Sequence, residues 1–172
     1  TSIMAIIDKP SDYFNTVLYT GNGNDNHGIT GVGFQPDWVW LKARNQADYH
    51  YSLDVVRGVT KCIFQNSNDA ESTFANSLKS FDSDGFTLGT SGDLNASSQT
   101  MASWNWKAGG SASSNTTGSI NSTVSANTTA GFSIVKYTGN ATVSTIGHGL
   151  GVAPKMIITK NLSRSDAWPV DC

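Results

Sequence analysis

The chain carries one pattern twice. Phe14, Val17, Tyr19, Thr20, Gly21 and Asn22 recur as Phe132, Val135, Tyr137, Thr138, Gly139 and Asn140, each pair 118 positions apart (132 − 14). The same spacing carries Gly31, Gly33, Pro36 and Lys42 onto Gly149, Gly151, Pro154 and Lys160 without net insertion. Between these anchors Val32, Phe34, Trp38 and Val39 correspond to Leu150, Val152, Met156 and Ile157. A fixed internal period implies two copies of one structural unit. The second copy reaches Cys172, opposite Asp54, and has no counterpart of 55–107, so it is expected not to close a core alone.

The repeated unit reads as strands. Val17 and Tyr19 alternate with Thr16, Leu18 and Thr20, the period-2 pattern of a pleated segment. The Gly/Asn-rich run 21–28 follows, rich in residues that tolerate positive φ or bond their own backbone, and is predicted to be a loop tip; its counterpart 139–147 is less polar. Segment 37–42 is β-branched and aromatic and is introduced by Pro36, which suits a strand start or edge. Further short strands are expected at 49–53, 61–64, 85–88 and 101–107, separated by Gly-, Ser- and Asp-rich turns. Only 68–78 has apolar residues at helical spacing (Ala70, Phe74, Ala75, Leu78), enough for one short helix or a turn. The expected fold is therefore all-β, an antiparallel sandwich. Its complete domain spans 1–110, and 111–172 forms a Ser/Thr-rich connection plus an incomplete second copy, with the boundary at Gly109 and Gly110. Eleven of the nineteen residues in 111–129 are Ser or Thr, yet Ile120, Ser122, Val124 and Ala126 alternate with polar neighbours as a first strand of copy two would.

Composition removes several functions. Charged residues make up 14% of the chain and the net charge is −2, so no basic field exists to hold nucleic acid or an anionic membrane. No apolar run approaches the roughly 20 residues a spanning helix needs, and 1–7 is too short and uncharged for a signal peptide. Polarity comes from Ser, Thr, Asn and Gly, the balance of an extracellular or virion β-protein. Cys62 and Cys172 are expected as free thiols.

Catalytic vocabulary is sparse. No nucleophile elbow, phosphate loop or dinucleotide fingerprint occurs, and His27, His50 and His148 lie at no metal-ligand spacing. Neither cofactor, metal nor catalytic residue is expected. Asp82, Asp84 and Gly85 faintly echo the opening of a calcium loop but lack its later oxygens, and a hairpin turn is the better reading. Among Asp48, Asp54, Glu71, Asp82 and Asp84 no pair stands out for glycoside cleavage, and Asp54 with Arg57 reads as a local ion pair. The two Trp-x-Trp pairs, Trp38 with Trp40 and Trp104 with Trp106, suit either sugar stacking or the sandwich core, and core is the expected role. Six Asn-x-Ser/Thr sequons, at Asn95, Asn115, Asn121, Asn127, Asn140 and Asn161, are read as unmodified.

The linked motifs Tyr19-Thr20-Gly21-Asn22-Gly23, Gly31-Val32-Gly33-Phe34-Gln35-Pro36-Asp37-Trp38-Val39-Trp40-Leu41-Lys42, Asp54-Val55-Val56-Arg57-Gly58, Phe81-Asp82-Ser83-Asp84-Gly85-Phe86-Thr87-Leu88-Gly89 and Trp104-Asn105-Trp106-Lys107-Ala108-Gly109-Gly110 resemble a repeated, lectin-like β-sandwich domain of tailed-phage virion proteins, abundant in marine and cyanobacterial phages. The resemblance implies a place on the outside of a virion, in a tail fibre, an appendage or a capsid decoration. The function expected is thus non-enzymatic, by assembly and by adhesion to host-surface glycan. The expected partners are other virion proteins, a cell-surface glycan contacted through Asn22, Asn24, Asp25, Asn26 and His27, and further copies of the chain, joined by strand exchange through 111–172. A cellular carbohydrate-binding module, a polysaccharide depolymerase and an architectural filament or capsid subunit without ligand are the rival readings.

Overall fold

The computed structural model describes residues 7–172, so most of the 1–7 opening judged above lies outside the described residues. The chain is all-β and its sheets are antiparallel. In order, the strands are β1 (Phe14–Thr20), β2 (His27–Ile29), β3 (Trp38–Ala43), β4 (Tyr51–Asp54), β5 (Lys61–Phe64), β6 (Ser72–Thr73), β7 (Leu78–Asp82), β8 (Gly85–Leu88), β9 (Thr100–Trp106), β10 (Ser113–Asn115), β11 (Ser122–Asn127), β12 (Phe132–Tyr137), β13 (Ile157–Ile158) and β14 (Val170–Asp171). Among the described residues the one helical element is a 3₁₀ turn, Pro10–Asp12.

A six-stranded sheet, β1-β9-β3-β4-β5-β6, packs against a three-stranded sheet, β2-β8-β7, to form an antiparallel sandwich. The alternation of β3 decides which side chains meet in the middle. Val39, Leu41 and Ala43 point inward with Leu53, Tyr51 and Met101, and the opposing sheet answers with Ile29, Phe86, Leu88 and Leu78, all buried. Burying side chains of this size stabilises by about 1.5–3 kcal/mol each. Strand β5 contributes Cys62 and Phe64. Burial pushes the Cys62 thiol up to about 12, and both cysteines are free.

The run 68–78 is not helical. Its Phe74 and Leu78 reach the core from a loop and from the start of β7, and Ser72–Thr73 pairs with β5. Helical spacing arose because two chain segments, separated by a turn, each drop one apolar residue inward. Phe81↔Phe86 and Asp82↔Gly85 close the β7–β8 hairpin around a two-residue turn. Asp82 accepts from Thr87 Oγ1, bracing the hairpin, and Asp84 accepts the N–H groups of Gly31 and Gly33 at 3.1 and 2.6 Å, holding that loop in place. Those two N–H bonds hold the Asp84 carboxyl below its usual range.

Some positions 118 apart share local backbone. Gly31 and Gly33 (φ 88° and 86°) correspond to Gly149 and Gly151 (φ 75° and 73°), and Gly23 (φ 74°) to Ala141 (φ 61°). Asn22 Oδ1 accepts the N–H of Asn24, as Asn140 Oδ1 accepts that of Thr142. Strand β12 lies 118 residues after β1, and the pairing Ile157↔Asp171 and Ile158↔Val170 repeats Val39↔Leu53 and Trp40↔Ser52. The surroundings differ: β9 joins β1 to β3 in one sheet, whereas β12 and β13 belong to separate sheets, β10-β11-β12 and β13-β14. Strand β11 occupies 122–127, where alternation placed a strand.

The junction at Gly109 and Gly110 is held by hydrogen bonds. Gly110 N–H donates to the buried Asp37 carboxylate at 3.0 Å, Gly109 N–H to Ser125 Oγ at 3.0 Å, and Asn127 Nδ2 to Ala108 O at 3.2 Å. Farther along, Glu71 N–H donates to Leu162 O, Asp166 N–H to Asn68 O, and Trp168 Nε1 to Ser67 O, which ties the β13–β14 region to the loop before β6.

Candidate functional site

The polar loop chosen from sequence is built around a residue that the sequence reading named only as a sequon. Asn95, fully buried, accepts through Oδ1 from Asn22 N–H (3.1 Å) and lies 2.7 Å from His27 Nδ1, while its Nδ2 donates to Asn24 O and Gly89 O, both at 2.8 Å. Since both Nδ2 protons are used, Oδ1 is the acceptor and His27 Nδ1 must carry a proton. That leaves His27 Nε2 as the group free to meet a ligand. Asn95 is also a sequon residue, and its enclosed amide agrees with reading that sequon as unmodified. No local signal marks its role in the loop, because its partners there, Asn22, Asn24 and His27, lie about seventy residues away in sequence.

The other members of the loop are exposed. Asp25 forms an ion pair with Lys79 at 2.8 Å, which holds its carboxyl below the usual range, and Asn26 Nδ2 donates to Asp25 Oδ2. Asn26 adopts a left-handed conformation, φ 60°, turning the chain into β2. His27, expected in the loop, begins that strand. The tip thus brings Asn22, Asn24, Asp25, Asn26 and His27 together on a fixed frame. Asn22, Asp25 and most of His27 serve the frame, and the Asn24 amide and the Asn26 carbonyl are left for a hydroxyl-bearing ligand.

The four tryptophans of the two Trp-x-Trp pairs, expected in the core, lie on the opposite face of the six-stranded sheet. Both faces of β3 carry apolar side chains, and the gap of roughly 10 Å between sheets is filled from β3 by Val39, Leu41 and Ala43. On the outer face the indoles also find partners for their N–H groups: Trp38 Nε1 donates to Ser52 Oγ at 2.5 Å and Trp40 Nε1 to His50 Nδ1 at 3.2 Å. Trp38 and Trp106 stack with centroids 4.2 Å apart, Trp40 packs at 5.5 Å on Trp104, and Phe14 packs at 4.8 Å on Trp106. Phe132, 118 positions after Phe14, stacks at 5.9 Å on Trp38. The column therefore receives the start of β12, and its rings are largely engaged with one another.

His50 is held below the usual histidine range by burial first and by the nearby Lys42 charge second. Only the neutral ring accepts from Trp40. A depressed basic group lends stability that is full above its unfolded value and is lost as pH falls through that value toward the folded one. Tryptophan fluorescence and melting temperature are expected to fall together below about pH 6.5, and His50→Gln should reduce that pH dependence relative to the parent chain.

Asp54 and Glu71 are the only two of the five carboxylates considered for glycoside cleavage that share a salt-bridge partner, and that partner is Arg57, with N···O distances of 2.5 and 3.4 Å. Asp54 Oδ1 further accepts the N–H groups of Val56 and Arg57, and Arg57 donates to Lys61 O and Ser52 O. The expected local ion pair is present, nearly enclosed, and extended to Glu71. Among the described residues, no three His, Cys, Asp or Glu side chains converge as a metal site, and no helix is long and apolar enough to cross a membrane.

These features define an all-β sandwich protein with a rigid polar loop at one end and an aromatic column on its larger sheet. The family model described as "Domain of unknown function (DUF7483)" matches residues 9–172, and the chain belongs to that family. No curated protein and no solved structure matches it.

Proposed function

We propose that the chain is a non-enzymatic structural protein of a tailed-phage virion, working by assembly and touching host-surface glycan through the loop at Asn24 and Asn26. One observation carries the assembly reading: apolar side chains of the second unit stay in water at positions whose first-unit counterparts are enclosed. Val152 is 70% exposed where Phe34 is 5%, and Ile157 is 48% exposed where Val39 is 0%. Surfaces of this kind mark contact sites with other proteins. The Ser-, Thr- and Asn-rich exterior and the linked motifs of the sequence support a virion setting.

Mass spectrometry of purified virions is expected to find the chain at a fixed copy number per particle. Its absence from particles would defeat the proposal. On a glycan array, Asn24→Ala should lose binding without lowering the melting temperature. Uniform silence of the parent chain on that array would instead favour a purely architectural subunit, a reading suggested by how many loop side chains are already satisfied internally.

A further inference from the structure

An open sheet edge presents unpaired N–H and C=O groups, and folded chains guard such edges with charge, proline, bulges or brevity. The sandwich ends in β1 and β6 on its larger sheet and in β2 and β7 on its smaller one. Strands β2 and β6 have three and two residues, and β7 carries Lys79 beside an irregularity between Leu78 and Ser80. Strand β1 has none of these guards. Its seven residues, Phe14–Thr20, include no charge and no proline, and they pair with β9 without a register shift. The bonds flanking β1, from Gly21 N–H to Gln99 O and from Lys107 N–H to Tyr13 O, show that its odd-numbered residues turn their backbone groups toward β9. Those of Phe14, Thr16, Leu18 and Thr20 therefore face away, and among the described residues no strand meets them. The described approach to β1 passes its inner side, where Ser11 O accepts from the Asn15 amide at 3.5 Å, beside Val32 O at 3.0 Å.

We propose that two copies of this chain join through β1, antiparallel about a two-fold axis at Thr16, so that their larger sheets become one continuous sheet. The hydrophobic pattern selects this register. Leu18, 59% exposed, and Phe14, 38% exposed, share the outer face with Thr16. Centring on Thr16 sets each Leu18 opposite the other copy's Phe14 and the two Thr16 side chains opposite each other, all favourable cross-strand pairs. The even-numbered residues that meet are then hydrogen-bonded pairs, each exchanging both main-chain bonds. Centring on Val17 instead would face Leu18 with Thr16 and Phe14 with Thr20, and the apolar side chains would stay apart. Phe14 already packs at 4.8 Å on Trp106, so the incoming Leu18 lengthens the aromatic column across the junction. Charge does not oppose the approach, since Asp12, just before the strand, falls opposite Thr20. A second copy fits this edge because one strand supplies both halves of a self-complementary contact. The contact lies on the first unit, apart from the exposed apolar side chains behind the assembly reading, and goes beyond that reading.

Sedimentation of the full chain at micromolar concentration should show a dimer in equilibrium with monomer. Leu18→Lys sets a charge on the exposed edge of both copies and should raise the dissociation constant by about tenfold or more. In dilute solution, where both proteins are monomers, its melting temperature should match that of the parent. Thr16→Pro removes an N–H that faces away from β9 and should weaken the dimer likewise. In the parent, amide exchange at Phe14, Thr16 and Leu18 should slow as concentration rises, whereas Val17 and Tyr19, bonded to β9, should exchange slowly at every concentration. The proposal is overturned if the chain stays monomeric throughout the range. It is equally overturned if both variants leave a dimer intact, or if the even-numbered amides are already protected at every dilution. Detection of the chain in virions is unaffected by any of these results, so the virion reading and the β1 contact can fail separately.

Discussion

Arg57→Ala is expected to cost about 3–5 kcal/mol in urea unfolding, the range for removing one partner of a buried ion pair. The Arg57 and Asp54 side chains are only 5% and 7% exposed, and truncation leaves the Asp54 carboxylate without a cation and Glu71 without its bridge. It also strips the donors from Lys61 O and Ser52 O, loosening the turn between β4 and β5. Asp54→Ala should cost a similar amount, since it orphans the guanidinium and the N–H groups of Val56 and Arg57. Replacing both charges with apolar residues, as in Asp54→Leu with Arg57→Met, should recover most of the loss, because the penalty lies in the unpaired charge and not in the absence of the pair. If Arg57→Ala unfolds within about 0.5 kcal/mol of the parent, the size expected of an ordinary surface change, the network contributes nothing beyond its exposed rim.

Asn95→Ala is expected to lower stability by about 1–3 kcal/mol, because the buried Gly89 carbonyl and three partly buried loop groups lose their partner at once. The consequence for the loop is more specific than the number. With Asn22 N–H, Asn24 O and His27 Nδ1 all released, 22–27 should exchange its amides rapidly while the sheets keep their protection. Glycan-array binding, if carried by this loop, should vanish in Asn95→Ala although every exposed side chain of the tip is still present. A loop whose amide exchange is unchanged in this variant would show that the backbone alone holds its shape.

Single strands were legible: β1 and β11 fall where alternation placed them, β3 where β-branched and aromatic residues follow Pro36, and β5, β8 and β9 at the short segments set off by Gly-, Ser- and Asp-rich turns. Which side of a strand faces inward was not legible for β3 and β9. Trp38 and Trp40 are as apolar as Val39 and Leu41, and a period of two separates the sets without saying which one the second sheet covers. The answer depended on gap width and on partners for two indole N–H groups, both of which exist only after strands pair. Phe74 and Leu78 misled for a related reason: their spacing was helical, but two different segments supplied them. Asn95 was legible only as a sequon, because the loop groups it holds, on Asn22, Asn24 and His27, lie about seventy residues away in sequence. The candidate loop itself was found from its Gly and Asn content, which reports turn geometry, and its true organiser lay outside it.

The junction bonds bear on how the chain would carry load. Asp37 sits immediately before β3, a strand bonded on both edges in the middle of the larger sheet, and it grips Gly110. Tension applied to 111–172 would enter the sheet there, alongside the Gly109–Ser125 and Ala108–Asn127 bonds and the Phe132–Trp38 stack. Several of these attachments must part together before the two portions can slide. A connector rich in serine and threonine thus behaves as a clamp, passing force into a strand paired on both edges instead of letting it dissipate in slack chain.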